Sequence, residues 1–78
     1  MNLVEIYPNP IKTTAVISFS NENIDSYQIF DLTGREILGS TIQSNSIELL
    51  KSDFNAGTYV LVLKSNNTIV STEKLIFV

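Results

Sequence analysis

Side chains able to do covalent chemistry are scarce in this chain. Its 78 residues include no histidine and no cysteine, so the usual general base, the usual thiol nucleophile and the usual zinc and copper ligands are all missing. Serines and lysines are present, yet no local signature marks a Ser–Lys nucleophile pair. Asp31 and Asp53 are the candidates for paired carboxylates, but both lie in turn-like stretches, where aspartate commonly bonds its own backbone. No loop gathers enough Asp, Asn and Glu to surround calcium, and the glycines form no phosphate cradle. The residue set points away from catalysis and implies no cofactor.

Binding chemistry has three candidates. Asn66-Asn67-Thr68 fits the N-glycosylation pattern, but that triplet occurs often by chance and the favoured reading is a hairpin turn. Tyr7, Tyr27 and Tyr59 are the aromatics for a glycan-stacking platform, but they fall on different strands with no evident common face, so packing is the default for each. The third is the C-terminal end, Lys74-Leu75-Ile76-Phe77-Val78. Four apolar side chains there sit beside the terminal carboxylate, where most domains let the chain fray because ordering a terminus costs backbone entropy. Such an end is either packed or presented to something that reads it.

Composition limits the partners. A net charge of −3 with scattered charges offers no basic stripe for nucleic acid and no polybasic membrane patch. No apolar run approaches the ~20 residues of a membrane-spanning helix, and no secretory signal pattern precedes the first strand. Met1 reads as a start residue supplied to an excised domain, with a native cytoplasmic start as the alternative. An apolar content of 44% with 17% charged residues is that of a folded domain. One domain, residues 1–78, is expected; a domain this small buries only about 60% of its unfolded surface, and typical per-residue values give it roughly 4–12 kcal/mol of stability.

The elements that position these residues read as strands throughout, since apolar residues recur with period two and β-formers dominate. Leu3 to Tyr7 is a first strand, closed by Pro8 and Pro10. Thr14 to Ser20 alternates, with Ala15, Ile17 and Phe19 on one face. Asn21 to Asn23 is a polar turn. Ser26 to Leu32 is read as a strand buried on both faces, because Tyr27, Ile29, Phe30 and Leu32 do not fit one side. Asp31-Leu32-Thr33-Gly34 suits a type I turn or bulged hairpin, and Arg35 to Ile42 returns from it. Ser46 to Leu50 is a fifth strand, followed by a connection whose Gly57 favours positive φ. Thr58 to Lys64 is apolar on both faces and therefore central, with Tyr59, Leu61 and Leu63 opposite Val60 and Val62. After a Ser65-Asn66-Asn67 turn, Thr68 to Val78 forms the last strand, with a bulge near Ser71 to Glu73. About seven short strands, turns every 8–12 residues or so and no helix predict an all-β, immunoglobulin-like β-sandwich of antiparallel strands.

Taken in order, the motifs resemble the C-terminal sorting domain of the type IX secretion system, the type A signal on exported proteins of Bacteroidetes. Tyr7-Pro8-Asn9-Pro10 is similar to the family's opening motif. The stretch Tyr27 to Ile37, with Asp31, Gly34 and Arg35, resembles its central "strand, Asp, two residues, Gly, Lys/Arg" element. Asp53 to Leu61 resembles its "leucine, two residues, Gly, any, Tyr" segment, with Phe54 in the leucine place. Glu73 to Val78 resembles the closing basic-then-apolar strand, though it ends on Phe77 and Val78 rather than lysine.

The resemblance implies a role. The domain would follow a cargo domain in one chain, pass through the periplasm, and direct the cargo across the outer membrane through a translocon. A surface sortase commonly removes it, cutting upstream, and leaves the cargo at the cell surface or released. It would hold no catalytic residues. Lys74, Leu75, Ile76, Phe77 and Val78 are the expected recognition residues, with a receptor strand adding to the terminal edge. Pro8, Asn9, Pro10, Asp31, Gly34, Gly57 and Tyr59 are expected to hold shape. Edge strands leave room for weak self-association. The main alternative is an accessory glycan-binding or adhesion sandwich, and a third is a spacer between domains.

Overall fold

Thr14 to Phe19 shows why the chain folds as it does: Ala15, Ile17 and Phe19 are buried, and the residues between them are only partly covered. In the computed structural model, which describes residues 4–20, 23–42 and 44–78, this period-two pattern recurs in seven strands. They are β1 (Val4–Tyr7), β2 (Thr14–Phe19), β3 (Ser26–Asp31), β4 (Glu36–Thr41), β5 (Ser46–Leu50), β6 (Gly57–Ser65) and β7 (Thr68–Phe77), with one 3-10 turn at Lys51–Asp53. The strands form two sheets, β1-β2-β5 and β4-β3-β6-β7, all neighbours antiparallel. In the constant-type immunoglobulin arrangement the fourth strand joins the first sheet; here β4 pairs with β3 in the second.

The core lies between the sheets. Ala15, Ile17, Phe19, Ile47 and Leu49 come from the first, and Ile29, Tyr59, Leu61, Leu63, Leu75 and Phe77 from the second. As expected, β6 is interior, with Tyr59, Leu61 and Leu63 turned to the core. Asn66 and Asn67 carry positive φ values of 55° and 67°, as the primed turn of a tight hairpin requires. Gly57 has φ +148°, in agreement with its expected backbone role.

Some boundaries differ from expectation. Leu32 is not in β3: the hairpin turns at Asp31, and Leu32 stands 72% exposed at the turn. The chain reverses there because Gly34 N–H donates to Asp31 O at 3.1 Å and Asp31 N–H to Arg35 O at 3.0 Å. With Gly34 at φ +91°, this is a type I turn closed by a glycine bulge. The strand expected over Arg35–Ile42 spans Glu36–Thr41. The irregularity in β7 falls at Val70, where Leu63 pairs Ser71 but Lys64 pairs Ile69, one residue before the expected window. Leu3, Asn21 and Glu22 lie outside the described residues.

Candidate functional site

β7 is the outer strand of the four-stranded sheet, and the five expected recognition residues divide along it by the alternation of a strand. Leu75 and Phe77 enter the core, Lys74 and Val78 are exposed, and Ile76 is partly exposed. Phe77 is held by an aromatic trio. Its ring stacks on Phe54 at a centroid distance of 4.4 Å and meets Tyr59 edge-on at 5.4 Å. Phe54 and Tyr59 also make an edge contact at 5.4 Å. Such pairs add about 0.5–1.5 kcal/mol each beyond the area they bury. A phenyl ring in the family's leucine place therefore has a partner for its face.

Tyr59 does more than pack. Its hydroxyl donates to the Asn55 carbonyl at 2.8 Å, four residues upstream, as in the tyrosine corner of immunoglobulin-type sandwiches. The bond ties the β5–β6 connection to the strand on which Leu75 and Phe77 pair, through Tyr59 with Leu75 and Gly57 with Phe77.

The outward edge of β7 is occupied by the opening motif. Asn9 uses its side-chain amide as a surrogate peptide group: Nδ2 donates to Lys74 O at 3.2 Å, and Oδ1 accepts from Ile76 N–H at 3.1 Å. Ile11 continues the line in parallel, its N–H donating to Ile76 O at 2.6 Å and its carbonyl accepting from Val78 N–H at 3.0 Å. Pro8 and Pro10, both preceded by cis peptide bonds, flank Asn9. The strap is anchored, since Ile11 is 0% exposed and part of the core. Burying such a side chain stabilises by about 1.5–3 kcal/mol, and each hydrogen bond adds a net 0.5–1.5 kcal/mol or so. Lifting the strap would thus cost a large share of the roughly 4–12 kcal/mol expected for the domain.

The sequence assigns Asn9 to backbone shape and gives Ile11 no role; the structure makes both of them the clasp on β7. Periodicity does not reveal either, because the contacts join residues more than sixty positions apart. The usable signal was a lone isoleucine between Pro10 and Lys12. A strand adding to the outer edge of β7 at this end meets Lys74 O, Ile76 N–H, Ile76 O and Val78 N–H already bonded.

The remaining expected residues are placed elsewhere. Asp31 caps its own turn, its Oδ1 accepting from the Thr33 hydroxyl at 2.6 Å, Thr33 N–H at 2.9 Å and Arg35 N–H at 3.0 Å. Arg35 Nε lies 3.4 Å from Oδ2. The Thr33 hydroxyl above all, with the two backbone N–H groups and the guanidinium, holds the carboxyl below its usual range against a smaller desolvation effect. Asp53 sits apart in the 3-10 turn. The tyrosines form no common exposed face: Tyr59 is in the core, Tyr27 packs against it, and Tyr7 is half exposed at the end of β1. Among the described residues no group of three or more Asp or Glu is placed to hold a metal ion.

A sandwich whose opening motif clasps its closing strand is the class these observations define. The chain belongs to the secretion system C-terminal sorting domain family, whose model matches residues 5–78. It is 31% identical over 74 residues to an endo-acting ulvan lyase of Formosa agariphila, covering 94% of this chain but only 14% of that protein. It also superposes on dimeric latent PorU from Porphyromonas gingivalis with a TM-score of 0.65 and 22% identity, over 100% of this chain and 9% of the other. That last likeness shows the fold. The chain is a sorting domain of the Por, or type IX, secretion system, as its motifs implied.

Proposed function

We propose that residues 1–78 act as one non-catalytic export signal, read by the type IX translocon and a surface sortase. The reading takes the cargo from the periplasm to the cell surface or the medium, with the signal commonly cut away upstream of this domain. The ulvan lyase relative, a far longer protein matched over 14% of its length, supports a cargo domain joined to this one. The observation that carries the proposal is the clasp. Asn9 and Ile11 hold the terminal strand in one conformation, so Lys74, Ile76 and Val78 are displayed from a folded sheet. Leu75 and Phe77 contribute by fixing that strand, not by touching a receptor.

The test fuses residues 1–78 to a periplasm-targeted fluorescent protein in a host with a type IX system. Surface or medium fluorescence is the expected result, and retention of the fusion in the periplasm refutes the reading. An adhesion or glycan-binding sandwich would want an exposed aromatic face, and the three tyrosines do not supply one.

A further inference from the structure

The strand ladders give the sandwich two distinct ends. At one, Val4 pairs with Phe19, and Phe19 N–H donates to Asn45 O at 3.1 Å. At the other, Tyr7 pairs with Val16, Thr14 with Leu50 and Gly57 with Phe77. The bond from Val78 N–H to Ile11 O brings the end of β7 to this second end as well. The chain therefore enters β1 at one end and carries β7 to the other. A cargo domain preceding β1 would leave the second end clear.

Exposed apolar side chains gather at that second end. Six large ones are exposed among the described residues, and four of them, Tyr7, Leu32, Leu50 and Val78, stand there. Leu38 lies inside β4, and Ile69 beside the Asn66-Asn67 turn. Scattered singly, such residues would need no explanation. Leu50, however, lines a cavity of about 480 Å³ together with Lys12, Thr13, Lys51, Ser52 and Phe54, within the size range of ligand pockets. Its walls are fixed: Lys51 N–H donates to Thr13 O at 2.7 Å, Phe54 N–H donates to Lys51 O at 3.0 Å, and Phe54 stacks on Phe77.

Charge sets the partner. Lys12 and Lys51 are two of the five cationic residues of a domain whose net charge is −3. The ion pair among the described residues joins Arg35 to Asp31, so neither lysine has a described carboxylate within salt-bridge distance, Asp53 of the same 3-10 turn included. Two unpaired ammonium groups beside the apolar surface of Leu50 and Phe54 match a segment that carries both carboxylates and apolar side chains.

We propose that this end of the sandwich docks an acidic, part-apolar peptide segment of the export machinery, its carboxylates pairing with Lys12 and Lys51 and an apolar side chain seated against Leu50 and Phe54. The inference rests on the proposed function and names the chemistry of the partner. An anionic lipid surface is disfavoured, because Asp31 and Asp53 stand at the same end and a continuous negative surface would meet their charges. A peptide places its carboxylates singly and avoids that repulsion.

Two measurements test it. The isotope-labelled domain is titrated with an alternating glutamate–leucine pentapeptide, and separately with phosphatidylglycerol vesicles. The peptide should shift the amide signals of Thr13, Leu50, Lys51 and Ser52, and added salt should weaken the effect. Absence of those shifts, or shifts with vesicles and not with peptide, overturns the inference. In the export assay, Lys12→Glu with Lys51→Glu should lower exported fluorescence about tenfold or more, since like charges then meet. Lys12→Arg with Lys51→Arg keeps the charge and should stay within about twofold. Lys64→Glu, at the other end of β6, is the matched control and should also stay within about twofold. Each domain is melted to confirm that it folds. Lys12 is exposed, so Lys12→Glu alone keeps the test decisive should the double variant fail to melt cooperatively. Parent-level export by the folded reversed variant, or an equal loss in Lys64→Glu, overturns the inference. Retention of the unsubstituted fusion overturns the proposed function instead, and the peptide titration then decides the site by itself.

Discussion

Two polar side chains carry structural weight that their family motifs do not announce. Tyr59 is buried as an aromatic, yet its hydroxyl is satisfied by the Asn55 carbonyl, so Tyr59→Phe leaves a carbonyl short of a partner while keeping the ring contacts with Phe54 and Phe77. A loss of about 1 kcal/mol is expected, which in a domain this small lowers the thermal midpoint by about 4–8 °C; an unchanged melt would mean the bond contributes nothing. Asp31 predicts a pH effect. Its folded carboxyl ionises below the ordinary value, chiefly because the Thr33 hydroxyl bonds the charged form. Stability from that bond is therefore present above the unfolded carboxylate range, near pH 4, and is lost as pH falls through the lower folded value. Nuclear magnetic resonance of the side chain should place the Asp31 midpoint below the ordinary aspartate value. Asp31→Asn should flatten the acid limb of the stability curve at that position, and a midpoint at the ordinary value would remove the argument.

At the scale of elements, β7 is stabilised from both sides: by β6 through a ladder and by the Asn9–Ile11 strap through a short line of bonds. Asn9→Ala deletes the two side-chain bonds and leaves the Ile11 anchor in place. Hydrogen exchange at the Ile76 amide should quicken by about tenfold or more, as expected for roughly 1–2 kcal/mol of local protection, with β2 and β3 amides little changed; a uniform change would show that the strap acts only on global stability. Most of the ladder was legible beforehand because it obeys local periods. Ala15, Ile17 and Phe19 alternate, Asn66-Asn67 turns, and Asp31 to Gly34 reverses the chain. The strap was not, since Asn9 meets Lys74 across 65 positions and makes its contact with a side chain that mimics backbone. Val60 and Val62 lie opposite Tyr59, Leu61 and Leu63, and apolar residues on both faces mark β6 as a central strand. The strand is interior to its sheet, and although two layers give a sheet only one covered face, Val62 on the other face is only 8% exposed.

For the whole molecule, the five residues proposed for recognition include two of the core, Leu75 and Phe77, and this governs how any truncation experiment must be read. A domain of 78 residues has roughly 4–12 kcal/mol to lose. Removing residues 74–78 takes away Leu75 and Phe77, both core side chains, and losses of this kind run to about 2–5 and 3–5 kcal/mol respectively. It also strips Asn9 and Ile11 of their partners on β7. The chain ending at Glu73 should therefore show no cooperative melt and little chemical-shift dispersion, and a fusion carrying it should stay in the periplasm whether or not those residues touch a receptor. Val78→Ala is the counterpart: its side chain is 48% exposed, so the melt should shift by less than about 1 kcal/mol. Measured together, the two variants locate the boundary between unfolding the signal and altering its surface. A cooperatively folded chain lacking residues 74–78 would show that β7 is dispensable to the sandwich, and the loss of export in that chain would then report recognition alone.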